Sequence, residues 1–121
     1  MKVEVSGENY QKQERITDFI IKHLKQINKD TGHFSTHIHT IRHESFKELV
    51  LMGDKIIPYL FHLMLEEGGS WTYFLLLQEI TKEQPVKKEN YGKFIHSTID
   101  WLQWYVNSKY YPSDIYFGLV E

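Results

Sequence analysis

The sequence predicts an all-α protein, a compact bundle of about five helices, and three observations carry that prediction. Apolar residues recur at helical spacings in five successive stretches. Each stretch closes on Gly, Pro or a charged run, with Ser or Asp placed to start the next. The chain of 121 residues, 41% apolar and 25% charged, is long enough to bury a core without metal or disulfide staples.

From Tyr10 to Lys29, following an N-terminal tail at 1–9, the residues Ile16, Phe19, Ile20, His23, Leu24 and Ile27 share one helical face. Asp30-Thr31-Gly32 supplies the stop, with Gly able to take the left-handed conformation past the end. The stretch from His33 to His43 is a polar connector with room for a turn of helix. Ser45-Phe46-Lys47-Glu48 fits a capping box and opens a short helix that Gly53 closes. Asp54 then caps the next helix. Pro58 sits in its first turn, where a missing N–H costs little, and Ile56, Ile57, Leu60, Phe61, Leu63 and Met64 form its apolar stripe.

After Gly68-Gly69, Ser70 is placed to cap a helix from Trp71 to about Thr81 that is apolar nearly all round, the pattern of a helix packed on several sides. Lys82 to Glu89 is a charged loop interrupted by Pro85. The last long helix, from about Asn90 to Ser108, has Phe94, Ile95, Thr98, Ile99, Trp101, Leu102, Tyr105 and Val106 on one stripe, with Trp104 beside it. The tail at 109–121 is rich in apolar rings and should pack on the domain or on a partner. The whole chain reads as a single helical domain.

The middle pair, Gly53 and Ile57-Pro58-Tyr59-Leu60, the Gly-Gly-Ser turn, then Trp71, Leu77 and Ile80, resembles the antiparallel two-helix unit of HEAT-type repeats, in one copy. A second resemblance rests on Phe34-Ser35, His43-Glu44-Ser45-Phe46, Met52-Gly53, Ile57-Pro58, Trp71, Leu77, Ile80-Thr81, Pro85-Val86, Gly92 and Trp101-Leu102 with Trp104. In this order they are similar to a family of short, poorly characterised bacterial helical proteins, over about residues 34–104. Glu44 and Lys82 depart from the family pattern, which has Pro and a small residue there. The resemblance implies a helical protein of bacterial or phage type and brings no catalytic residue, ligand or cofactor.

Composition narrows the function classes. With no Cys, thiolate catalysis, disulfides and Cys-ligated zinc are excluded. A formal charge of −2 provides no global attraction for nucleic acid. No signal-like or membrane-spanning run is visible, so a cytoplasmic protein away from membranes is expected.

Candidate chemistry is sparse. His33, His37, His39 and His43 include two pairs spaced by four, the spacing that puts two imidazoles on one metal if a helix is continuous there. The alternative is a His-rich connector, with His43 making a local hydrogen bond near a helix start. The connector is preferred, with no metal and no cofactor. Ser45 and Ser70 are explained as caps, no Ser lies in a nucleophile elbow, and Asp100 and Glu79 are lone acids. Gly68-Gly69-Ser70 lacks a preceding strand and a following Lys, so it is a turn and not a phosphate loop.

Two surfaces remain. Arg15, Lys22, Lys25 and Lys29 make a basic stripe that can neutralise phosphates, or simply a solvated helix face. Trp104, Tyr110, Tyr111, Tyr116 and Phe117 are an aromatic surplus of the type found at interface hot spots, or the rings that close the core. The expectation is a small non-enzymatic interaction protein, an inhibitor, antitoxin or regulatory adaptor, whose partner is another protein. The alternatives are a nucleic-acid-binding regulator and a His-dependent metalloprotein.

Overall fold

The structure, a computed structural model, describes the backbone of residues 2–34 and 36–111 and the side chains of residues 15–34 and 36–111. Among the described residues there are six α-helices and two short 3-10 turns, with no strand: α1 (Lys2–Thr31), α2 (Ile38–Arg42), α3 (Glu44–Leu51), α4 (Ile57–Glu67), α5 (Trp71–Thr81) and α6 (Phe94–Val106). The all-α class follows directly. The chain divides at Ile56 and Ile57 into two compact units. No helix among the described residues is long and apolar enough to cross a membrane.

In the first unit α1 begins at Lys2, eight residues before the start predicted from Tyr10 and through the stretch read as a tail. Extending a formed helix adds one hydrogen bond per residue fixed, so propagation outlasts the apolar pattern that nucleates it. The predicted face is the one that packs: Ile20 and Ile27 are fully buried, and Ile16, Phe19, His23 and Leu24 are half-buried. α1 packs on α3, whose Phe46 and Leu49 are buried. Thr31 donates to the Ile27 carbonyl at 2.7 Å and meets Thr40 of α2 at 3.2 Å.

Two helix-end predictions are corrected here. Gly32 stops α1 without a left-handed φ; a Cβ on it would lie 2.6 Å from the Asn28 carbonyl oxygen, so the close approach demands glycine. Ser45 is not an N-cap. His43 holds that position, its Nδ1 accepting the Ser45 backbone N–H at 2.9 Å, and Ser45 is a buried residue inside α3. An imidazole nitrogen does there what a hydroxyl was predicted to do. Asp54 lies within the 3-10 turn Gly53–Ile56 that leads into α4.

In the second unit α4 and α5 pack on each other across the turn at 68–70, the helical hairpin read from the sequence. Pro58 occupies the first turn of α4 as predicted. Ile57, Leu60, Phe61, Leu63 and Met64 are buried from α4, and Tyr73, Phe74, Leu76 and Leu77 from α5. Nothing between Thr72 and Leu77 is exposed, as an all-round apolar helix requires. Gly69 permits the turn to close, since a Cβ there would lie 2.8 Å from Met64 Cγ and 3.4 Å from Phe94 Cζ. Ser70 has the extended backbone of an N-cap, but its side chain makes no capping hydrogen bond.

α6 starts at Phe94, later than predicted, because Lys88–Asn90 form a 3-10 turn and Gly92 takes a φ of 81°. α5 ends on Lys82, which adopts the left-handed conformation at φ 60°. An L side chain there costs about 1–2 kcal/mol, and the exposed Lys82–Glu79 ion pair at 2.7 Å offsets little of it.

Two stability predictions follow from this packing. Trp101 is fully buried, and Trp101→Ala should cost about 3–5 kcal/mol, read as a shifted midpoint in urea denaturation. Lys82→Gly should raise stability by about 1 kcal/mol; an unchanged or lower midpoint would contradict the strain assigned to that position.

Candidate functional site

α6 determines what the second unit shows to solvent. At 100° per residue the apolar side chains of its stripe, with Trp104 left beside it, span an arc of about 160°. Burial does not follow that arc. The buried residues are Ser97, Asp100, Trp101 and Tyr105, centred roughly 100° from the middle of the apolar arc. Polar anchoring explains the offset. Asp100 Oδ2 accepts the Lys87 backbone N–H at 3.0 Å and the Asn90 side-chain amide at 2.8 Å. Ser97 donates to the Asn90 carbonyl at 3.2 Å. The loop between α5 and α6 is thereby tied to the polar side of α6, and that side turns inward with it.

The turn leaves an aliphatic edge uncovered. Ile95 is 70% exposed, Ile99 47% and Val106 50%, with Leu102 half-exposed between them. These four fall within about 60° of arc. The sequence pattern had placed all of them on the inner stripe, and for Ile95, Ile99 and Val106 the structure corrects this. The available signal was an Asp and a Ser sharing one side of a helix otherwise rich in large apolar residues.

The aromatic candidates lie on the other side of α6. Trp104 stacks on Phe61 at 6.3 Å and on Tyr110 at 6.1 Å, meets Trp101 edge-on at 5.4 Å, and donates its Nε1–H to Glu83 at 3.2 Å. Tyr105 stacks on Phe61 at 4.1 Å and meets Tyr111 edge-on at 5.2 Å. Trp104, Tyr110 and Tyr111 are thus gathered into one half-buried cluster whose rings pair within the unit. Burial, with Tyr111 nearby, pushes the Tyr105 hydroxyl pKa up. Tyr116 and Phe117 lie outside the described residues.

The four connector histidines do separate work. His33 and His39 flank Phe34, at ring separations of 4.1 and 3.8 Å. His43 caps α3 through Nδ1, which therefore carries no proton, and donates from Nε2 to Asp30 at 2.7 Å. His37 precedes α2 and is exposed. Hydrogen bonds from Gln26 and then His43 hold the Asp30 carboxyl below its ordinary value. Ser45 Oγ pairs with His23 Nδ1 at 2.8 Å. Asp, His and Ser are close here, but His43 meets the amide of Ser45 and not its hydroxyl, which is buried. Among the described residues no group of three or more His, Asp or Glu side chains converges as metal ligands would.

On α1, Lys22, Lys25 and Lys29 line one open, shallow depression together with Asp18, Ile21 and Gln26. Arg15 is exposed two helical turns before Lys22, on the same line of the helix. The four basic candidates therefore share a face, with one carboxylate among them.

No protein-family model, no curated protein and no solved structure matches the chain.

The Asp100 anchor has a pH signature. The Asn90 and then the Lys87 hydrogen bonds hold its carboxyl below the ordinary value of 3.8. A carboxyl lowered in the folded state contributes stability that is fully present above its unfolded value and is lost as pH falls through the folded one. Thermal melts should therefore drop on acidification below about pH 4. Asp100→Asn should melt lower than the parent at pH 7 and show a shallower acid decline. Equal melting temperatures at pH 7 would remove the anchor from the account of α6.

Proposed function

We propose that the protein is a small non-enzymatic interaction protein that docks another macromolecule through the outer stripe of α6. The observation that carries this reading is the row Ile95, Ile99, Leu102 and Val106, aliphatic, contiguous and open to solvent on an ordered helix. A row at i, i+4, i+7 and i+11 is the spacing with which one helix lies along another or in an apolar groove. Such a device needs no acid, base or metal, only a rigid helix presenting its edge. Bacteria and phages use compact, cysteine-free domains of this size as inhibitors, antitoxins and regulatory adaptors, and by that analogy we assign this chain such a role in the cytoplasm.

Ile99→Glu tests the reading, because it charges the stripe at a half-exposed position. The variant should keep the parental far-UV circular dichroism and lose whatever macromolecule associates with the parent, including a second copy of the chain. A folded variant that retains every association defeats the proposal.

A second reading is favoured by the basic face of α1, where three lysines line one depression. Phosphate contacts made there would be strongly salt-dependent. The triple change Lys22→Ala, Lys25→Ala and Lys29→Ala should weaken binding to generic RNA or DNA at low salt and flatten its salt dependence. Absence of binding by the parent at low salt removes this reading.

A further inference from the structure

We propose that the occupant of the α6 stripe is the α6 stripe of a second copy of this chain, packed in parallel. The inference rests on the docking surface named above and specifies what fills it.

The order of side-chain types is the first argument. In a heptad frame Ile95 and Leu102 stand at d while Ile99 and Val106 stand at a. Both a positions are β-branched and the d position between them, Leu102, is Leu, the combination that favours two parallel strands; Ile95, the other d position, stands at the end of the stripe. A stripe for a flat or irregular partner surface needs no such alternation.

Charge supplies the second argument. The positions flanking the stripe are His96 and Gln103 on one side and Thr98 on the other, with the buried Tyr105 below Thr98. None of them is Asp, Glu, Lys or Arg. A partner of either sign would find nothing there to pair with, whereas two identical edges meet without like-charge repulsion. Lys93, the nearest charged residue before the stripe, falls on the opposite side of the helix, near Trp104. The edge is complementary to itself.

Size determines the strength. The stripe runs about 16 Å along three turns of helix, and it presents far fewer than the roughly 20–30 residues a side of a standard interface. The product is a reversible dimer that forms as concentration rises, not an obligate one.

The experiment is sedimentation velocity on the full chain from micromolar to millimolar concentration, with Ile99→Glu and Ile99→Lys run alone and mixed. The parent should pass from one chain to two as concentration rises. Each variant alone should stay a monomer with parental helicity, because parallel packing sets the two copies of position 99 side by side. The equimolar mixture should dimerise at least tenfold more tightly than either variant alone. A parent that remains monomeric throughout overturns the inference, as does a mixture no tighter than its components. If the parent is monomeric yet loses a different macromolecule on Ile99→Glu, the docking reading stands and only its occupant was misassigned.

Discussion

The surface of the second unit depends on one carboxylate. Asp100 is nearly buried on α6 and accepts two N–H donors from the preceding loop, one from backbone and one from an amide side chain. Removing a carboxylate from water is costly unless it is hydrogen-bonded, and here it is. In satisfying it the chain turns the side bearing Ser97 and Asp100 inward. The large apolar arc of α6 then cannot be covered as a whole. Trp101 and Tyr105 go into the core, while Ile95, Ile99 and Val106 stay outside. A hydrogen-bond requirement thus overrides the most economical burial, and what it leaves outside becomes the candidate docking edge.

The first unit solves a similar problem with imidazoles. His43 satisfies an orphan amide at the start of α3 and reaches Asp30 near the end of α1, so one ring links two helices. Ser45, relieved of capping, turns its hydroxyl to His23. No buried side-chain nitrogen or oxygen is left without a partner among the described residues. A cluster of histidines that invites thoughts of metal is thereby distributed among a cap, a pair of rings on Phe34 and a link between helices. The rings of the second unit are likewise committed to one another, Phe61 serving both Trp104 and Tyr105. Aromatic richness here goes chiefly into filling space between short helices, although Phe34, Trp71 and Tyr91 keep exposed surface.

What could be read in advance was the local physics. Helical periodicity, Pro58 in a first turn, Gly68-Gly69 between two apolar helices and the packing face of α1 all follow from neighbours a few residues apart, and each appears where predicted. The left-handed Lys82 was not legible, since α6 also ends without glycine and its Asn107 keeps a negative φ. The candidate stripe was visible as a set of apolar residues but not as a surface, because periodicity reports which side of a helix is oily and not which side is covered.

By itself, then, the sequence determined that this chain is all helix, roughly where its helices start and stop, and that it carries no thiol chemistry. Tertiary structure decided that His43 reaches back to Asp30, that Ser45 turns its hydroxyl to His23, and that α6 sits rotated away from its own apolar arc. The reason is range. Helix formation and chain turns are governed by contacts within a few residues, whereas the bonds of Asp100 to residues 87 and 90, of Asp30 to His43 and of His23 to Ser45 join positions from 10 to 22 apart. No local pattern records such bonds before the chain has folded.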